Sequence, residues 1–139
     1  MDEAVASLGD SFDRLAAAAR RSIRASAAAI DEDLQPAAWP VFREIVRRER
    51  IQAGSIVAML GMDKSAVSRH VKELRELGLI DAIRDDCDAR VVWLSPTEAG
   101  RARIGVVFAA QQQRLRQQLE AWPPDDVERF AQLLTRFSS

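Results

Sequence analysis

One cysteine and one histidine are all the thiol and imidazole that 139 residues offer. A single thiol closes no internal disulfide, which suits a reducing compartment, and the pair is too small for an ordinary N/S transition-metal site. No carboxylate cluster has ligand spacing either, and the chain has no glycine-rich phosphate loop, nucleophile elbow or nucleophile–base pair. No metal, no cofactor and no catalytic residue is therefore predicted. Charge of one sign is also lacking: the net value is −1, so a nucleic-acid site has to be local. No apolar run approaches the roughly 18 residues of a membrane span. The start, MDEAVASLGD, has neither the basic nor the apolar part of a signal peptide, and a cytoplasmic protein is expected. Repeats and low-complexity tails are missing. What remains is a composition 47% hydrophobic and 29% charged, that of one soluble globular domain with a real core.

The most informative stretch is Ser55–Leu77, SIVAMLGMDKSAVSRHVKELREL. Ile56, Val57 and Leu60 give a first helix its apolar side, and Gly61 supplies the permissive backbone of a tight turn. Asp63 stands where an N-cap is needed. Val67, Val71, Leu74 and Leu77 then mark one face of a second helix, which Gly78 closes. At about 100° per residue, Ser65, Ser68, Arg69 and Lys72 fall on the opposite face, with Lys64 and Ala66 beside them at the helix start. Hydroxyls and cations can bond phosphates or base edges, and an alanine methyl can touch thymine. A helix-turn-helix DNA reader needs this division, one face packed on its own domain and the other in the major groove. A charged outer face is also what any amphipathic hairpin shows, so the following segment decides.

Residues 1–34 are predicted as a long helix from Val5, Leu8, Phe12, Leu15, Ala19, Ile23, Ala27 and Ile30, with Asp10 after Gly9 as a candidate cap. Pro36 and Pro40 mark a boundary, and Trp39, Phe42, Ile45 and Val46 begin a shorter helix ending near Arg48. Ile51 suggests a token strand. After Gly78 the period turns extended: Leu79–Arg84 and Arg90–Leu94 read as strands around the polar loop Asp85–Ala89. Thr97 and Glu98 open a helix running to about Ala121, and Val127, Phe130, Leu134 and Phe137 mark a last one after Pro123–Pro124. The fold class is mainly α with a small β-hairpin wing.

A helix-turn-helix followed at once by a hairpin is a winged helix, and here the chain resembles the MarR family of transcriptional regulators. LGMDKSAVSRHVKELRELGLI is similar to the family's recognition-helix segment, Asp88-Ala89-Arg90 to its Asp-x-Arg wing motif, and Ser95–Gly100 to its wing-to-helix junction. The resemblance implies one MarR-like domain over 1–139. Residues 36–96 would form the winged helix-turn-helix lobe, and 1–34 and 97–139 the dimerisation helices. It implies a homodimer on a pseudo-palindromic double-stranded operator, acting as a repressor that a small aromatic effector releases. DNA contact is then assigned to Lys64, Ser65, Ala66, Ser68, Arg69 and Lys72, and to Arg90 in the minor groove with Asp88 holding its guanidinium.

Departures temper the electrostatics. Ala82, Ile83 and Ala89 stand where the family's wing often carries arginine, and Pro96 where it often has leucine. A modest non-specific affinity is expected. A winged-helix protein-interaction module with little DNA affinity is the alternative. For an effector, Trp39, Phe42 and Arg43 with Phe12 opposite are the candidates, though the same residues serve equally as core and surface of the second helix. His70 falls near the packed side of the recognition helix, and Cys87 reads as an incidental surface thiol.

Overall fold

The first helix, α1, runs from Asp2 to Ile30 in the computed structural model, which describes residues 1–139. It passes straight through Gly9 and Asp10, so the cap expected at Asp10 is not used. One glycine costs a long helix only about 1 kcal/mol, which the flanking turns absorb. The helix ends four residues before the expected end at residue 34, because Asp31 turns extended (φ −159°, ψ 138°) and its carboxylate accepts the Asp33 N–H at 2.9 Å. Leu34 is still buried, but in the connection.

Helix α2 (Ala38–Arg48) follows, then α3 (Ala53–Leu60), α4 (Lys64–Glu76), strands β1 (Ile80–Arg84) and β2 (Val92–Pro96), α5 (Glu98–Leu119) and α6 (Pro124–Ser138). Pro40 sits inside the first turn of α2, where amides have no intrahelical acceptor, so its ring costs no bond. Glu49 leaves α2 at φ 61°, the one non-glycine residue with positive φ, and turns the chain toward Ile51. Ile51 forms an isolated bridge with Leu94, its N–H donating at 3.0 Å and its C=O accepting at 2.7 Å. The second strand lies two residues later than expected. The antiparallel register pairs Ile80 with Pro96 and Ile83 with Trp93, so Pro96 ends the ladder where a missing N–H does least harm.

The chain divides into two compact units, residues 1–107 and 108–139. In the first, Trp39, Phe42 and Ile45 of α2 are wholly buried with Ile56 of α3, Val67 and Leu74 of α4, and Ile104 of α5. Helix α4 packs on both α2 and α3. In the second, Trp122 lies against Phe130 with ring centroids 5.6 Å apart, and α6 buries no residue completely. No helix is long and apolar enough to cross a membrane.

Helix α4 ends in a Schellman motif. Gly78 (φ 72°) donates to the Arg75 carbonyl at 3.0 Å and Leu79 to that of Leu74 at 3.0 Å, with both leucine side chains buried. Thr97 then ties this end to α5. Its hydroxyl donates to the Gly78 carbonyl at 2.6 Å and accepts the Gly100 N–H at 3.0 Å, while its N–H donates to the Leu79 carbonyl at 3.0 Å. Gly100 lies so close to the Leu79 carbonyl that a Cβ there would collide with backbone. Gly100→Ala is therefore expected to destabilise the protein by about 1–3 kcal/mol, read as a lower denaturation midpoint at unchanged slope. An unchanged midpoint would show that the junction can give way.

Candidate nucleic-acid interface

Helix α4 has two chemically different sides. Val67 and Leu74 are fully buried and His70 nearly so, whereas Lys64, Ser65, Ser68, Arg69 and Lys72 are exposed and Ala66 is half-buried. The tight turn before it uses Gly61 in the left-handed region (φ 61°), whose N–H donates to the Val57 carbonyl at 3.0 Å. Asp63 occupies the N-cap position with extended backbone, and its carbonyl accepts the Val67 N–H at 3.0 Å. Its carboxylate makes no capping bond, contrary to expectation. The first amides of α4 are thus left without a side-chain capping bond. Farther along, the Lys72 ammonium is 3.9 Å from Glu76, a loose, exposed pair.

The inner side of α4 is pinned through His70. Its Nδ1 lies 3.6 Å from one Glu73 oxygen, and the other accepts the Gln35 N–H at 3.0 Å. His70 lies on the packed side, as expected, and its polar neighbour there is the Glu73 carboxylate. Helix α4 is thereby tied to the segment before α2, which leaves the outer side unobstructed.

At the wing, Asp88 grips Arg90 at three points. Its Oδ1 accepts the Arg90 backbone N–H at 3.0 Å and Nε–H at 3.1 Å, and its Oδ2 accepts from Nη2 at 3.2 Å. The arginine side chain is 91% exposed, so the fork is held from below and presented outward. A second carboxylate, Asp85, was not among the predicted site residues. It accepts the Trp93 indole N–H at 3.0 Å and the backbone N–H groups of Cys87 and Asp88 at 3.0 and 3.1 Å. The available signal was its place as the residue opening the loop, where an aspartate bonds amides two and three residues on. Its indole partner, eight residues later, had no local signal. Cys87 is exposed and free at the tip.

The effector candidates are dispersed in burial. Trp39 and Phe42 have essentially no exposed surface and fill the core of the first unit; Phe12 lies 38% exposed on α1. Arg43 is half-buried, with a buried Nε that has no hydrogen-bond partner. Burial, then neighbouring Arg47, lowers its pKa.

Hydrogen bonds from the Arg90 side chain, then from its backbone N–H, hold the Asp88 carboxyl below the usual range. A depressed carboxylate pKa means the grip is complete above the ordinary aspartate value of about 3.9 and is lost only as pH falls below it. A 13C titration of Asp88 should move toward the ordinary value in Arg90→Ala. An unmoved midpoint would mean that the pair is not formed in solution.

Residues 32–91 match the family model of the MarR family. No curated protein matches the sequence. Among solved structures, a MarR family protein from Bacillus stearothermophilus superposes with a TM-score of 0.86 at 19% identity, covering 99% of this chain and 95% of that one. RV1404 from Mycobacterium tuberculosis gives 0.73 at 23%, covering 91% and 89%. A MarR family transcriptional regulator from Listeria monocytogenes, solved in complex with a 26mer DNA, gives 0.74 at 19%, covering 91% and 85%. Residues 32–91 thus resemble the MarR family in sequence, and the chain as a whole has the winged-helix fold of these solved structures.

Proposed function

We propose that this chain is a sequence-specific DNA-binding transcriptional regulator that works as a homodimer. The observation that carries the reading is the two-sided α4, buried through Val67, His70 and Leu74 and open through Ser65, Ser68, Arg69 and Lys72, beside a wing that presents Arg90. The DNA complex of the Listeria relative supports the same use of the fold. In this reading Lys64 and Ser65 meet phosphate near the α4 N-terminus, where the helix dipole favours anions. Ala66, Ser68 and Arg69 face base edges, Lys72 meets phosphate, and Arg90, oriented by Asp88, enters the flanking minor groove. The lobe 36–96 does the reading, and the helices of 1–34 and 97–139 join two copies.

Exposed apolar side chains support the dimer. Val5, Leu8 and Leu15 line α1 at more than half exposure, and Leu133 and Phe137 do so on α6, Phe137 at 70%. Leaving such stripes in water forfeits about 25 cal/mol per Å² of apolar surface, and a second copy can cover them. We further read the chain as a repressor released by a small aromatic acid. Within the candidate set Arg43, with a buried Nε lacking a hydrogen-bond partner, supplies the charge for a carboxylate.

Sedimentation of the full chain is expected to give a dimer at micromolar concentration; a monomer there would remove the two-lobed arrangement. DNA binding is tested with a duplex selected by the protein from a random library, with half-site centres roughly 10 bp apart expected. Arg69→Ala should cost on the order of 1–3 kcal/mol and relax preference at one position per half-site. Lys72→Ala should weaken all sequences alike and lower the salt slope by about one. Equal selectivity profiles for the two variants would refute this division, and failure to enrich any duplex would favour the protein-interaction module.

A further inference from the structure

The wing turn has almost nothing apolar to hold it. From Asp85 to Arg90 only the two aspartates Asp85 and Asp88 are half-buried; Asp86, Cys87, Ala89 and Arg90 are exposed. The shape of the turn therefore rests on polar contacts, and these converge on one side chain. Asp85 Oδ2 accepts the N–H groups of Cys87 and Asp88, and Asp85's own N–H donates to the Val91 carbonyl at 2.9 Å, closing the loop. Its Oδ1 faces the other way and accepts the Trp93 indole N–H at 3.0 Å.

Trp93 is not itself a mobile partner. It sits in β2 opposite Ile83, next to Leu94, which Ile51 holds on its other edge by two backbone hydrogen bonds. The residue before Ile51 completes the cluster: the Arg50 guanidinium lies 4.3 Å from the centre of the Trp93 ring and 3.8 Å from Asp85 Oδ1. Cation, ring and carboxylate each face the other two, so the turn is fastened to β2 and to the segment that bridges its far side.

We propose that Asp85 is a positioning residue for Arg90. Held by Trp93 and Arg50, it fixes the Asp88 backbone, and Asp88 in turn presents the Arg90 guanidinium. The functional part rests on the DNA-binding reading above; the positioning itself does not. An exposed arginine loses rotamer freedom when it enters a groove, and one already held in its bound direction loses less. The device compensates for a wing in which Ala82, Ile83 and Ala89 bring no charge, because the single cation within the turn 85–90 is pre-set. Asp85 touches no DNA in this arrangement and acts only through the turn.

The test uses the full chain in two arms. In the first, without DNA, 15N spectra follow the Arg90 Nε–H and Trp93 indole N–H signals, with Asp88→Ala as the reference for a released arginine. Asp85→Ala is expected to move the Arg90 signal to its Asp88→Ala position while the α4 amides stay in place. Trp93→Phe, which keeps a ring in the sheet but removes the donor, is expected to move it part of the way. An Arg90 signal at its wild-type position in Asp85→Ala overturns the proposal, whatever the protein binds. So does displacement of the α4 amides in both variants, which would make the role one of general folding. In the second arm, on an A·T-flanked duplex selected by the wild-type protein, Asp85→Ala is expected to weaken binding about threefold to tenfold. It should have no effect once Arg90 is alanine. An equal loss in the Arg90→Ala background overturns the coupling. If the wild-type protein enriches no duplex, the DNA-binding reading falls and the first arm alone decides the positioning.

Discussion

The place where α4 ends and α5 begins sets the geometry of everything that faces outward. Gly78 takes a backbone conformation that a side chain would strain, Thr97 bonds the Gly78 and Leu79 carbonyls, and Gly100 lets α5 start directly against Leu79. Helix α4, both strands and α5 thus meet within one hydrogen-bonded corner. The angle between α4 and the hairpin is consequently a property of backbone packing and not of side chains on the surface. This is what a DNA reader requires, since base contact and minor-groove contact have to fall in register on one duplex. The same corner frees the surface to vary, because none of the outward residues of α4 takes part in it.

Electrostatically the molecule is sparing. With a net charge of −1 and acids slightly in excess between Asp63 and Arg90, it cannot rely on a broad cationic surface. For the DNA binding proposed above, affinity would come from a few well-placed cations, and the structure holds several of the outward groups in place. His70 and Glu73 fix the inner side of α4, Asp88 fixes Arg90, and Asp85 fixes the turn that carries Asp88. Such an interface gains less from counterion release and more from lowered ordering cost than a lysine-rich one.

Features that depend on local periodicity were readable in the sequence. The apolar spacing of Val67 and Leu74 gives the buried side of α4, Gly61 and Gly78 are the glycines with positive φ, and the Asp88–Arg90 pair forms over two residues. What the sequence alone left hidden depends on contacts between distant positions or on weak local signals overruled by their surroundings. Asp63 has the composition of a cap without making the bond. Asp10 after Gly9 looks like a helix start, but a helix of 29 residues runs through both. Glu49 turns at positive φ with no glycine to announce it, and Trp93 reaches Asp85 only because the hairpin closes. Trp39 and Phe42 show the limit from the other side: an aromatic at helical spacing reads equally as ligand wall or core, and packing makes these two core.

The central claim is that α4 lies in the major groove while the wing lies in the adjoining minor groove. A paired footprint on a selected duplex measures this most directly, with dimethyl sulfate reporting guanine N7 in the major groove and hydroxyl radical reporting the minor-groove edge. The account predicts N7 protection in two tracts about one helical turn apart, flanked by minor-groove protection that disappears when Arg90 is replaced while N7 protection persists. Protection along the backbone with every N7 still open to methylation would contradict it.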